Sequence, residues 1–454
     1  MQNVKLMKKS LILIFLIIAT LFSSCSESTD IISNMLIPPS SNTEMKKIKD
    51  KIRKIVGSDI TFISPISGNI RNAINFVDID LDGINEVVAI YTTAADKMAN
   101  IIILKKTSSD YQEVAAINTL SNNIDLLEFS DWLQDGKLEM AVGYAVPGSE
   151  SKGLTIYDLG GTGVTEILNK KYTAISFNDF KSEDYKSIFI VLKNENDFTA
   201  TGKYIKSIDG TLKIVSECKM NRRVKEYSNI TSGMMNDVDV LVFSEIIDDT
   251  TIETEIVAII ENELVNYTLN SDGSAKYEDI LLRKGTVFSQ DIDDDGEIEI
   301  PLPVPISQKN ITADTVRVYQ WCIFRPVNNQ LSSASFPAKF YTVMNTSERY
   351  YIIYHMQWLD RVNVKQDATG SIMNFYYNNP SHPEKEELMF SVIAFSPEDY
   401  KTKNNDPGYS LILSTTERVY ASYIPPSISS EAKNITPTAE EIETLFVQKT
   451  LKQR

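Results

Sequence analysis

"VDIDLDGINEVVAIY", residues 77–91, sets three aspartates on alternate positions, then a glycine, then a glutamate at the mouth of an apolar run. Asp78, Asp80 and Asp82 take positions one, three and five of a loop, and Gly83 takes six, where the chain must turn sharply. Ile84 at seven offers a backbone carbonyl, and Glu86 at nine offers another carboxylate. A hard cation with six to eight oxygen ligands at about 2.3–2.6 Å suits this spacing, whereas magnesium would demand a stricter octahedron and keep more water. Left without a counter-charge, each carboxylate pair would repel by about 1 kcal/mol at 4 Å even in bulk water. The expectation is a bound Ca2+ that pins the turn before a strand, a structural ion stabilising the fold by mass action.

The frame recurs. "SQDIDDDGEIEIPLP" (289–303) repeats it in full, with Asp291, Asp293, Asp295, Gly296, the Glu297 carbonyl and Glu299. "FSDWLQDGKLEMAVGY" (129–144) keeps Asp131, Asp135 and Glu139 but has Leu133 at position three, so this degenerate loop is expected to bind weakly or not at all. "FNDFKSEDYKSIFIVL" (177–192) has Lys181 there, and an ammonium is expected to stand in for the ion. Asp131 follows Asp78 by 53 residues, Asp179 follows 48 later, and Asp291 lies 213 beyond Asp78, close to four such steps. A fourth copy is expected near 235, where "SGMMNDVDVLVFSE" (232–245) stands in degenerate form. Regular spacing of this length points to repeated supersecondary units.

Each unit parses as four short strands. In the first they are "AINFV", "EVVAIY", "NIIILKK" and "YQEVAAI"; in the second "IDLLEF", "LEMAVGY", "GLTIYDL" and "VTEIL". The breaks carry Asp, Asn, Ser, Gly and Lys, as tight turns require. The fold class expected is mainly β: a β-propeller of about five or more four-stranded blades over 58–335, with calcium-loop turns, whose blades share a core by stacking. After about residue 335 the acidic loop stops recurring, and four or more strands with one or two helices predict a smaller α+β module over 336–454. An open alternative is that some of these strands finish the ring.

The N-terminus reads as an address. "MQNVKLMKKS" is a basic head, and "LILIFLIIATLF" is an apolar stretch that suits a signal sequence and is short for a membrane span. "SSC" follows, so residues 1–24 resemble a lipoprotein signal with Cys25 as the lipidated residue, although Phe22 stands where that pattern has Leu, Val or Ile. Residues 25–43 read as a tether containing Pro38-Pro39. Residues 44–57, "EMKKIKDKIRKIVG", put Ile48, Ile52 and Ile55 on one face of a short amphipathic helix stopped by Gly57. An outward-facing membrane lipoprotein is the localisation expected.

The formal charge is −16, and −19 without residues 1–24. Such a surface repels phosphate backbones and argues against nucleic acid as a partner. Cys218 and Cys322 are the other cysteines, neither a disulfide framework nor a zinc spacing.

A "DxDxDGxxE" loop entering an apolar strand, repeated in a secreted chain, resembles the FG-GAP or VCBS class of propeller repeats over roughly residues 60–335. The first half of each full loop also matches an EF-hand-type calcium loop. The Phe-Gly and Gly-Ala-Pro elements that name the first class are absent. The signal, Pro-Pro tether, short helix, "ISGNIRNAINFVDIDLDGINEVVAIY" and "GYSLILSTTERVYASYIP" together resemble lipoproteins of clostridial type, which implies a location and not an activity.

No catalytic signature stands out. His355 lies in the apolar, aromatic "YYIIYHMQW", and His382 in the loop "NPSHPEKEE"; neither has metal-ligand spacing to another His or Cys. There is no "GxSxG", P-loop or dinucleotide fingerprint. Trp132 and Trp358 are expected in cores, and the alternate prolines of "IPLPVPI" (300–306) fit an edge strand. Three functions stay open. The first is a surface binding or scaffold module for an extracellular protein or glycan. The second is an extracellular polysaccharide-active enzyme using carboxylates in a propeller cleft. The third is a calcium-controlled assembly or sensor component.

Overall fold

The computed structural model describes residues 42–449, apart from 96, 109, 120, 147, 161–162, 179, 181–185, 195, 197, 277, 286, 305–311, 326–334, 380–384 and 404–405. The signal, Cys25 and nearly all of the tether lie outside the described residues, as do Asp179, Lys181 and His382. The chain divides into two compact units, one running to Lys171 with Ser207–Leu212, the other Tyr172–Lys206 with everything from Lys213 on.

Helix α1 (Asn42–Val56) opens the first unit. Gly57, at φ 102°, ends it as expected, donating its N–H to the Arg53 carbonyl at 3.0 Å. The first sheet is antiparallel and comprises β1 (Ile60–Phe62), β2 (Ile74–Val77), β3 (Glu86–Thr93), β4 (Ala99–Lys106) and β5 (Tyr111–Asn118). The second runs in order through β6 (Ile124–Ser130), β7 (Glu139–Ala145), β8 (Lys152–Asp158) and β9 (Thr165–Tyr172). The eight strands read from the sequence in these two units are all present.

The third sheet is β10 (Ala174–Asn178), β11 (Ser187–Asn194), β12 (Thr199–Ile208) and β13 (Thr211–Lys219). The fourth is β14 (Glu226–Met235), β15 (Val238–Ile246), β16 (Thr251–Ile260) and β17 (Glu263–Asn266), with β18 (Leu282–Lys284) added beside β16 after the single-turn helix α2 (Glu278–Leu281). Here the expected fourth acidic loop has shrunk to a two-residue turn. Met235 pairs Val238, and Asn236 and Asp237 both have positive φ, 52° and 61°. That is the demand of a tight hairpin turn, which Asn and Asp tolerate.

The fifth sheet is β19 (Ile300–Pro303), β20 (Val318–Cys322), β21 (Ala338–Asn345) and β22 (Tyr350–Ile353). Its strands lie on both sides of residue 335. β19 is its edge strand and carries Pro301 and Pro303. The sixth is β23 (Val362–Gln366), β24 (Ile372–Asn378), β25 (Glu386–Phe395), β26 (Tyr409–Ser414) and β27 (Val419–Tyr423), with α3 (Pro397–Lys403) between β25 and β26. Two short helices follow, α4 (Ser430–Lys433) and α5 (Ala439–Leu445), and β28 (Phe446–Gln448) returns to pair with β22.

The fold is thus mainly β, built of repeated antiparallel sheets of four or five strands. Middle strands such as β3, β4, β11, β15 and β16 are buried on both faces over most of their length, which is why they read as unbroken apolar runs. Outer strands such as β5 and β13 show mixed burial and sequence. Within the first unit, Val88, Ile90, Ile101 and Ile103 of the first sheet pack on Leu127, Phe129, Met140 and Val142 of the second. The first sheet's other face, Val87, Ala89, Ile102 and Leu104, is covered by Ile48 and Ile52 of α1. Within the second unit the third sheet packs on the fourth, the fourth on the fifth and the fifth on the sixth, through Phe189 with Phe243, Ile256 with Ile300, and Ile352 with Phe375 in successive clusters. Among the described residues, no helix is long and apolar enough to cross a membrane.

Candidate metal centres

Three loops stand at strand entrances: 78–86 between β2 and β3, 131–139 between β6 and β7, and 291–299 ahead of β19. All three are held by the same bonds. The carboxylate of Asp78 accepts from the N–H groups of Asp82 (3.0 Å) and Gly83 (2.8 Å). Asp131 does so from Asp135 (3.0 Å) and Gly136 (2.9 Å), and Asp291 from Asp295 (3.1 Å) and Gly296 (2.8 Å). The position-five aspartate then accepts from the residue two on: Ile84 to Asp82 at 2.8 Å, Lys137 to Asp135 at 3.1 Å, Glu297 to Asp295 at 2.9 Å. The position-nine glutamate reaches back to the N–H at position two, as Glu86 to Ile79 (3.0 Å), Glu139 to Trp132 (2.7 Å) and Glu299 to Ile292 (3.0 Å).

This scaffold does not use the side chain at position three. The loop with Leu133 therefore folds like its relatives and loses only a possible ligand. Position six is left-handed in all three, with φ 85°, 81° and 88° at Gly83, Gly136 and Gly296. Position four is left-handed too, at Leu81, Gln134 and Asp294, which costs a non-glycine residue about 1–2 kcal/mol.

The carboxylates converge. Asp78, Asp80 and Glu86 each bring an oxygen within 4.8 Å of the others', as do Asp131, Asp135 and Glu139, and Asp291, Asp293 and Asp295. Asp82 and Glu299 join through a shared cation that the sequence reading did not find. Lys105, on β4, bonds the carboxylates of Asp80 and Asp82 (2.9 Å to the latter) and lies 3.6 Å from Glu86 Oε1. Lys339, on β21, sits 2.8 Å from Asp293 and 2.9 Å from Glu299, and also bonds Asp295. These carboxylate bonds hold both ammonium groups above the ordinary lysine range, in Lys339 against the pull of desolvation. Lys105 was within reach of sequence reasoning, because Val87 pairs with Leu104 and the next residue must flank the loop. Lys339 comes from 40 residues beyond Glu299, with no local signal.

The loop at 131 differs. Its own lysine, Lys137, turns away to the Gly160 carbonyl at 3.1 Å. Glu139 is fully buried, and burial pushes its carboxyl up to about 7, as it does for Glu299 despite Lys339. Burial raises Glu86 as well. Glu86 Oε1 and Glu139 Oε1 are buried without a hydrogen-bond partner. An all-oxygen donor set with an unsatisfied carboxylate oxygen inside it fits a hard divalent cation. The residues that would hold it are Asp78, Asp80, Asp82 and Glu86 with the Ile84 carbonyl, and Asp291, Asp293, Asp295 and Glu299 with the Glu297 carbonyl. In the first loop the ion must displace the Lys105 ammonium, and in the last the Lys339 ammonium. Lys449, after β28, braces that loop from outside, donating to the carbonyls of Asp291 and Ile292 at 2.9 Å each.

A second acidic group escaped the sequence, where nothing singled it out among 61 acids. Glu245 on β15 pairs across to Glu253 on β16, with Glu255 two residues on, and all three are buried. Asn221 donates to Glu245 (3.1 Å) and Glu253 (2.8 Å); Asn266 donates to Glu255 (2.6 Å). Burial raises both Glu245 and Glu255, and the neighbouring Glu255 charge raises Glu245 further.

A groove beside β23 is lined by Asp314, Thr315, Val316, Gln366 and Asp367. Thr312 holds the Asp314 carboxyl below the usual range, and bonds from Thr369 and the Ile372 N–H hold Asp367 down against its partial burial. The His355 ring meets Trp358 edge-on at 5.0 Å. Trp132 and Trp358 are core residues, as expected. Cys218 and Cys322 are free thiols, pushed by burial up to about 12 and 11.

No family model matches the chain, and no curated protein matches it. Among solved structures it is similar to the propeller of Dos1, at 11% identity and TM-score 0.31, covering 66% of this chain and 64% of that one. It is also similar to the β-propeller domain of the Trilobed protease from Pyrococcus furiosus, which has an open velcro topology, at 14% identity and TM-score 0.29, covering 71% and 94%. The WD40 domain of SCAP from fission yeast shows 10% identity and TM-score 0.27, covering 80% and 97%. At such TM-scores the architecture rests on the sheets themselves.

Proposed function

We propose that this chain is a lipid-anchored, outward-facing β-propeller of the FG-GAP/VCBS kind, stabilised by calcium, that serves as a binding or scaffold module for an extracellular protein or glycan. One observation carries the reading: the same oxygen-rich loop, with the same internal bonds, stands at the strand entrance of three repeated sheets. Repetition of a costly left-handed, carboxylate-crowded turn is explained by a cation that each copy is shaped to meet. Face-to-face packing of successive sheets within each unit supports blades, and rigid stacked blades present broad loop surfaces suited to partners.

The enzyme reading gains no support from the groove beside β23. Glycoside cleavage needs one carboxyl kept protonated near neutral pH, and Asp314 and Asp367 are both held ionised. Capture from cell envelope and culture medium, using the mature chain with and without calcium, tests the proposal. A partner enriched only with calcium supports it; no enrichment under either condition overturns it.

A further inference from the structure

Helix α1 concentrates positive charge in an acidic protein. Its fifteen residues hold Lys46, Lys47, Lys49, Lys51, Arg53 and Lys54 against Glu44 and Asp50, a net +4 in a chain of −16. Its apolar face is spent on the first sheet, where Ile48 and Ile52 are fully buried. What it presents outward is Lys46, Lys47, Arg53 and Lys54, all exposed, with Asp50 the one acid among them, 3.8 Å from Arg53. The helix is anchored sideways as well: Lys51 pairs with Asp110 at 2.6 Å, and Glu44 with Lys106 at 2.8 Å and Tyr111 at 2.9 Å. The basic face is therefore fixed on the body of the first unit.

We propose that this face of α1 docks on an anionic lipid surface and sets the side of the protein turned to the membrane. The proposal rests on the lipid-anchor reading for its geometry. Sixteen residues separate Cys25 from Asn42, a span of at most about 60 Å when fully extended, so α1 lies within that reach of an anchor at Cys25. Charge complementarity selects the partner. Anionic headgroups attract Lys and Arg only within about a Debye length, roughly 8 Å at physiological salt, and the remaining acidic surface would be repelled. With no apolar face left to insert, the contact is electrostatic and stays at headgroup level.

The full chain, purified from the cells that process it, is mixed with phosphatidylcholine vesicles or with vesicles containing phosphatidylglycerol, then pulsed with an amine-reactive label and mapped by mass spectrometry. Labelling of Lys46, Lys47 and Lys54 is expected to fall about threefold or more on the anionic vesicles, with Lys213 and Lys276 unchanged, and to recover in 0.5 M salt. By hydrogen exchange, the parent's Arg53-containing peptides are expected to be slower on the anionic vesicles than on phosphatidylcholine, and the triple variant K46E/K47E/K54E, all at exposed positions, is expected to lose that difference. Equal labelling on both vesicles overturns the proposal. Association with both vesicle types reports the lipid anchor; association with anionic vesicles alone removes the anchor reading and keeps this one.

Discussion

Lys339 places its ammonium 2.9 Å from the fully buried carboxylate of Glu299, joining β21 to a loop that precedes β19. The same nitrogen bonds Asp293 and Asp295. An internal cation thus sits where the loop chemistry calls for one, and a divalent ion would compete with it.

Lys339→Met removes that cation and leaves Glu299 buried without a counter-charge. Breaking such a pair costs on the order of 3 kcal/mol. In chelator, the variant is expected to melt several degrees below the parent. Millimolar calcium should restore most of the loss, since the ion then has the loop to itself. Thermal melts of both proteins with and without calcium check it, and calcium-independent loss would show that the loop takes lysine but no metal.

Glu139→Gln addresses the loop whose lysine, Lys137, turns away to the Gly160 carbonyl. The amide oxygen can still accept from Trp132 and Leu133, while the buried charge disappears. Glu139 has its carboxyl raised from 4.5 to about 7 in the folded protein. A carboxyl raised in this sense contributes its full stability below about 4.5 and loses it as pH climbs through 7. In chelator the parent is therefore expected to weaken between those values and E139Q to weaken less. Parallel pH–stability curves would refute the assignment.

The buried pair Glu245–Glu255 carries the same sign. Glu245 lies well above its ordinary 4.5, so the stability it lends is complete in acid and declines as pH rises above that value. Glu245→Gln should flatten the alkaline side of the profile and leave the protein at least as stable as the parent at pH 8. Urea melts at pH 5 and pH 8 measure this; an unchanged slope between them would show that Glu245 is not the group that titrates there.

Gly83 sits at φ 85° with open space where a Cβ would project. Gly83→Ala therefore tests backbone conformation alone, at roughly 1 kcal/mol. A small drop in Tm is expected, larger in calcium than in chelator, because a turn that resists its geometry also holds its ligands poorly. Equal drops in both would separate the turn from the ion.

The sequence made the loops and their strands legible because both obey local rules. Asp at one caps five and six, Gly at six turns, Glu at nine reaches back to two, and an apolar run fills a strand buried on both faces. Long-range pairing was not legible. Lys339 reaches its loop only because β20 and β21 fold back beside β19, and β28 joins β22 across nearly a hundred residues. The copy near 235 is a two-residue turn at Asn236–Asp237, which leaves no loop in which its acids could converge. The glutamates at 245, 253 and 255 became a cluster only through the β15–β16 register.

The most direct measurement is the melting temperature of the full chain in chelator and in millimolar calcium, beside the double variant Asp80→Ala/Asp293→Ala. If calcium binds the folded loops, the parent gains stability by mass action, about 2.7 kcal/mol at a hundredfold excess over Kd, and the double variant gains much less. Identical melting of the parent in chelator and in calcium would contradict the account.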